Sequence, residues 1–376
     1  MLARLVSFDT TSRRTNLELI DWVEAQLAPI AGHIQRLPNA DGDKANLWVR
    51  IGPDAPDGII LSGHTDVVPV DGQPWTTDPW ELVKNTDKLF ARGTCDMKGF
   101  IALCMAFADE FAKGELTRPV HFAFSYDEEV GCAGAHDMIQ AIAAHAQRPS
   151  LCWVGEPTLW SVVSGHKGIQ TYEVRVTGLE AHSSLPHLGA SAIHEAVALM
   201  AALRGVAMKA EASPPPDSPF DPPHATLTIG TVNGGTASNI LARECSFVFD
   251  LRRPAGVDAN EMLAPFFAQV DEINQRLKQV SPDCGVAVEK HADAPPLRPD
   301  PDSPAEQFVR SLTGDNATHF AAYAAEAGQF QEAGIPTVIC GPGSIEQAHQ
   351  PNEWVAVSEL ARGVDLFHAL NKRLRA

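Results

Sequence analysis

The sequence predicts an α/β protein in which one sheet-and-helix domain, residues 1–170 and 292–376, is interrupted by an α+β domain at 171–291. Three observations carry that prediction. Apolar strand-like runs, loops and helical runs alternate as far as Glu156, the pattern of an α/β sheet. From Thr171 to Thr177 polar and apolar side chains alternate, as in a half-exposed antiparallel strand. Past Pro295 the first texture returns.

Taken in order, Thr15 and Glu18 form a capping-box pattern, and Ile20, Val23 and Leu27 follow at helical spacing up to Pro29. A strand at Ile59-Ile60-Leu61 leads into a long loop with Pro74-Trp75 and Pro79-Trp80. From Phe100 to Phe111 nearly every position is apolar, which predicts a helix buried against the sheet. Strands follow at Val120–Phe124 and Leu151–Val154. The interrupting domain then reads as strand, helix (Ala190–Leu203), two strands (Thr226–Thr231 and Cys245–Leu251), helix (Asn260–Lys278) and strand (Val286–Lys290). That β-α-β-β-α-β order suits a ferredoxin-like sandwich. The proline-rich stretch Ser213–Pro223 reads as a surface connection within it. A helix from Ala305, a strand at Thr337–Cys340, the loop Gly341-Pro-Gly343 and a helix carrying Leu360, Val364 and Phe367 complete the first domain.

With 376 residues the chain can bury two separate cores. Lys and Arg number 29 against 47 Asp and Glu, and the resulting net charge of −18 argues against a nucleic-acid or anionic-membrane partner. No stretch approaches a membrane span, and the first residues are too short and too soon charged for a signal peptide. The seven cysteines are odd in number, widely spaced and free of any C-x-x-C pair, so they read as reduced, core-filling thiols of a cytoplasmic protein.

Five metal-type side chains, His64, Asp96, Glu129, Glu156 and His349, stand where strand-like runs end or where a loop follows one. In an open α/β sheet ligands gather beyond the carboxyl ends of the strands, so residues distant in sequence can meet there. Carboxylates and imidazoles without thiolates suit zinc, cobalt or manganese in a hydrolytic site. Three carboxylates and two histidines exceed what one tetrahedral zinc needs, but fit two ions sharing a bridging carboxylate. Asp66, two residues beyond His64, is placed to accept the other ring N–H and fix the tautomer. Glu128 and Glu129 alternate in direction if strand geometry persists, so one can bind metal while the other serves as general base.

In order, SGHTDVVP (62–69), ARGTCDMKG (91–99), SYDEEVG (125–131), GEPT (155–158), VTGLEAHSS (176–184) and GPGSIEQAHQPNE (341–353) resemble the dinuclear zinc amidohydrolase/peptidase family. The resemblance covers nearly the whole chain. It implies a three-layer α/β/α zinc-exopeptidase-like catalytic domain and an inserted lid that also forms a homodimer contact. It further implies two divalent ions per subunit, zinc or cobalt, with Asp96 bridging, His64 and Glu156 completing one site, and Glu129 and His349 the other. Glu128 becomes the general base that takes a proton from water and returns it to the leaving amine, on a small-molecule N-acyl amino acid. A cis peptide after Asp96 is also implied. By motif position His182 is the lid histidine that reaches a neighbouring subunit's site to stabilise the oxyanion. Asn239 and Arg252 match lid positions suited to a substrate α-carboxylate, for which Arg252 offers two parallel hydrogen bonds. Gly341 and Gly343 are further substrate-binding candidates. The run Glu326–Pro336 and the opening Ser12–Asp21 resemble the branch that deacylates a diamino acid, which makes Glu326 a candidate partner for a side-chain ammonium.

Overall fold

The computed structural model describes residues 1–375 and resolves two compact units. The first comprises Met1–His166, Leu297–Ala321 and the chain from Ala325 onward; the second comprises Lys167–Pro296 with Ala322–Ala324. The expected boundaries lie four or five residues inside these, for a physical reason. The strands Gly168–Thr177 and Gly285–Ala294 pair as far as Ile169 with Ala294, and residues 168–170 are buried, so no alternation marks where that strand begins.

The first unit is built on an eight-stranded mixed sheet. Its order is His33–Pro38, Ala45–Ile51, Val120–Ser125, Ile59–His64, Leu151–Val154, Thr337–Ile339, Val163–His166 and His319–Ala321. Ile59–His64 runs parallel to both Val120–Ser125 and Leu151–Val154, and Thr337–Ile339 is parallel to Leu151–Val154. Four strands therefore end at one edge. Strand periodicity sends Leu61, Phe122, Trp153 and Val338 into one large apolar core, against the helices Lys98–Lys113 and Val357–Arg373. There Phe100 meets Trp153 at 6.1 Å and Phe367 at 5.8 Å between ring centroids. The alternate residues, among them Trp48, Ile60 and Cys152, are also buried, and the helices His136–Ala143 and Ala327–Glu332 pack on the sheet and on each other. Layers of helix thus cover an α/β sheet.

Small departures from the sequence reading are local. The helix Leu17–Leu27 is headed by Asn16, and Thr15 Oγ1 accepts the Leu17 amide at 3.1 Å instead of closing a capping box with Glu18. The seven cysteines are all buried and unpaired. Among the described residues no helix is long and apolar enough to cross a membrane.

In the second unit the strands Thr226–Gly234, Glu244–Arg253, Gly168–Thr177 and Gly285–Ala294 form, in that order, one antiparallel sheet. The helices Ala192–Ala212 and Ala259–Val280 pack on it and on each other over a separate core that includes Val174, Leu199, Phe249 and Phe266. With the chain's four strands numbered as they occur, the order is 2-3-1-4, the ferredoxin-like arrangement read backwards. The helix at 259–280 opens on Asp258, whose carboxylate accepts the amides of Asn260 and Glu261 at 2.8 and 3.3 Å.

Candidate active site

The carboxyl edge of the large sheet collects the polar groups. His64 is the last residue of its strand, Glu156 lies two residues beyond Val154, and Glu128 and Glu129 follow Ser125. Asp96 sits just before the helix Lys98–Lys113, and His349 comes from the loop after Ile339. One donor atom each of His64, Asp96 and Glu129 lie within 4.8 Å of one another, and the same holds for His64, Glu128 and Glu156. His64 Nε2 stands 3.0 Å from Asp96 Oδ1 and 3.8 Å from Glu156 Oε1. His349 Nε2 lies 3.3 Å from the other Asp96 oxygen, Oδ2, and 2.9 Å from Glu129 Oε2. Asp96 therefore faces both imidazoles, one with each oxygen. The Asp96–Met97 peptide is cis.

Asp96, Glu128, Glu129 and Glu156 are crowded together, and among the described residues no Lys or Arg ion-pairs with them. Burial, reinforced by Asp96, pushes Glu129 up to about 7, and burial with the neighbouring carboxylates pushes Glu128 and Glu156 well above the ordinary range. Burial also acts to raise Asp96, but hydrogen bonds from His349 and His64 outweigh it and hold Asp96 low. Contacts to Asp96 and Glu129 lift His349 to about 10. Glu129 Oε1 is buried without a hydrogen-bond partner. A buried anion needs compensation, and an orphaned carboxylate oxygen among oxygen and imidazole donors fits a hard or borderline divalent cation. The donor set passes that test.

Other residues depart from their expected parts. The strand at Val120–Ser125 stops before the acidic pair: Asp127 adopts φ +55°, and Gly131 and Cys132 donate their amides back to Glu128 O at 3.0 and 2.7 Å. A turn, not continued strand geometry, sets the two directions. Asp66 meets His64 through its backbone more closely than through its carboxylate. His64 Nδ1 is 3.0 Å from the Asp66 backbone carbonyl and 3.6 Å from its carboxylate. The carboxylate instead accepts the Glu128 and Glu129 amides at 3.1 and 3.2 Å and the Ser12 hydroxyl at 2.7 Å, so it anchors the acidic turn.

Glu326 is 1% exposed, and its carboxyl faces the Ser62 and Ser125 side chains. Burial above all raises it to about 7, and the charges of His64 and Asp66 also act on it. Gly341 and Gly343 both engage backbone groups within the protein. The Gly341 amide donates to Thr158 Oγ1 at 3.1 Å while its carbonyl accepts from Trp160 at 2.9 Å. A Cβ on Gly341 would fall 2.1 Å from Gly155 O, and Gly343 sits at φ +81°. Both let the loop lie against the strand end that carries Glu156.

His182, Asn239 and Arg252 belong to the second unit. His182 is exposed, with Nδ1 2.7 Å from Ser184 Oγ, and Asn239 O accepts the Ser183 amide at 2.9 Å. Arg252 Nε is held by both oxygens of Asp250 at 3.1 Å, an ion pair between residues on one face of a strand. Sequence reasoning missed Ser12, Gln73, Arg92 and Glu353, which brace the site's loops. Of these Arg92 and Glu353 lie inside quoted motifs and Ser12 opens a quoted run, whereas Gln73 carried no signal.

Two imidazoles and four carboxylates converging beyond parallel strands define a metal-dependent hydrolase. Residues 60–373 match the model of peptidase family M20/M25/M40. The chain is 35% identical over 373 residues to an acetylornithine deacetylase from Myxococcus xanthus, covering 96% of this chain and 93% of that one. It is 32% identical over 351 residues to the acetylornithine deacetylase of Pectobacterium carotovorum, covering 92% and 88%. An M20 family metallo-carboxypeptidase from Sulfolobus solfataricus shares the fold with a TM-score of 0.74 at 16% identity, covering 100% of this chain and 98% of the other. The chain belongs to the M20/M25/M40 peptidase family.

Proposed function

We propose that the chain hydrolyses the amide of N2-acetyl-L-ornithine to L-ornithine and acetate, a step of arginine biosynthesis. The substrate assignment is carried by one observation, near-full-length similarity above 30% to relatives named acetylornithine deacetylase.

In this reading His64, Asp96, Glu129, Glu156 and His349 hold two divalent cations, zinc or cobalt. Such ions supply Lewis-acid polarisation of the scissile carbonyl and lower the pKa of a water. Glu128, held in the acidic turn by its amide bond to Asp66, accepts the proton that the water loses as its oxygen bonds to the acyl carbon. The same carboxyl then passes that proton to the nitrogen as the C–N bond breaks, and amine and acetate leave. Asp66 keeps Glu128 and Glu129 in register with His64. His182, offered by a second copy of the chain, donates to the oxygen that gains charge at the carbonyl. Arg252 and Asn239 receive the α-carboxylate.

Steady-state assays test the assignment. With zinc present, kcat/KM for N2-acetyl-L-ornithine is expected to exceed that for N-succinyl-L,L-diaminopimelate and for dipeptides by about 10²-fold, the upper range of what one buried polar group left unpaired costs a mismatched substrate. A preference for the succinyl compound, or equal rates over many acyl amino acids, overturns the choice of substrate. Mixing His182→Ala with Glu128→Gln chains should restore part of the activity that each lacks alone. Mixtures as inactive as their components reject the histidine's action across subunits.

A further inference from the structure

The loops bearing Asp96 and His349 are tied together by a buried carboxylate that the hydrolytic scheme does not use. Glu353 is 1% exposed. Its Oε1 accepts the amides of Cys95 and Asp96 at 2.8 and 3.0 Å, and its Oε2 accepts the Gly93 amide and Arg92 Nη1, both at 2.9 Å. Four donors fill the four lone-pair sites of an ionised carboxylate. Converging backbone amides of this kind make an anion nest. Here the chain's own side chain fills it.

The tie continues on the other side. Arg92 Nη2 donates to Gln73 Oε1 at 2.6 Å, and Gln73 Nε2 donates to the His349 carbonyl at 2.9 Å. Asn352 Oδ1 accepts both the amide and the hydroxyl of Thr76 at 2.8 Å. A closed circuit thus runs from the Asp96 amide through Glu353, Arg92 and Gln73 to His349. It spans a loop in which His349 and Asn352 adopt φ +62° and +57°, and the His349 side chain is 50% exposed.

We propose that Glu353, Arg92 and Gln73 act as a positioning clamp that fixes Asp96 and His349 relative to each other and so sets the affinity for the second divalent cation. This rests on the two-cation reading above. A glutamine at 353 keeps the volume but turns an –NH₂ toward an amide or guanidinium donor, so it breaks the clamp without emptying the space.

The test is zinc titration in chelator-buffered solution on the parent, Glu353→Gln and Gln73→Ala, with circular dichroism to confirm folding and cobalt absorption to report ligand geometry. The parent is expected to take two zinc ions. Glu353→Gln should bind the second ion about 10–100-fold more weakly, show an altered cobalt spectrum, and regain kcat in excess zinc with KM unchanged. Gln73→Ala removes an arm from the loop surface and should weaken the same event by a smaller factor. A folded Glu353→Gln protein with the parent's zinc affinities and cobalt spectrum overturns the clamp. If that variant does not fold, parent-like zinc binding by Gln73→Ala overturns it. A parent that takes fewer than two ions sinks the two-cation reading instead, before any variant is compared.

Discussion

Glu128→Gln is expected to lower kcat by about 10²–10⁴-fold, the usual contribution of a positioned general base, while leaving zinc content and folding intact. Glutamine matches the volume of glutamate but cannot take a proton from water. The charge environment makes the control informative. Burial and the charges of Glu129 and Asp96 disfavour ionised Glu128, so loss of its charge relieves crowding and does not weaken the fold. A fall in kcat without loss of stability or metal therefore isolates the proton-transfer role. Zinc lost in parallel would make Glu128 a ligand, as its proximity to His64 and Glu156 also permits. Near-normal turnover would remove it from the mechanism.

Removing the cations should cost both activity and stability. Among the described residues four carboxylates gather without Lys or Arg partners, which leaves the edge of the sheet dependent on other positive charge. A ligand held at about 1,000 times its Kd stabilises by about 4 kcal/mol, and for a domain of this size each kcal/mol shifts Tm by about 2–4 °C. Exhaustive chelation is thus expected to lower Tm on the order of 10 °C, and zinc should restore Tm and turnover together. A metal-free protein with an unchanged melting curve contradicts the view that cations neutralise this cluster. The second unit has its own core and supplies none of these donors, so its share of the transition should move little.

The sequence made the edge of the sheet readable because strand-ending residues report their own position. Ile59–Leu61 and Leu151–Val154 are short apolar runs followed within three residues by His64 and Glu156, and parallel strands of an α/β sheet bring such ends to one edge. What escaped depends on chain reversal and on contacts between distant loops. The positive φ of Asp127 turns Glu128 and Glu129 out of strand geometry, and no propensity marks a non-glycine residue for that conformation. Asp66 anchors amides more than sixty positions away, and Glu353 bonds amides more than 250 positions away. Nor does the sequence show that Glu326 is buried against Ser62 and Ser125, which lie on two other strands. The domain boundaries shifted for a related reason: the first residues of the strand Gly168–Thr177 are buried and show no alternation.

The claim on which the rest depends is that one aspartate joins two cations. Anomalous diffraction at the zinc edge from crystals grown with zinc tests it most directly. Two peaks are expected in each chain, both touching Asp96, one beside His64 and Glu156 and the other beside Glu129 and His349. A single peak, or peaks lying away from Asp96, would contradict the account.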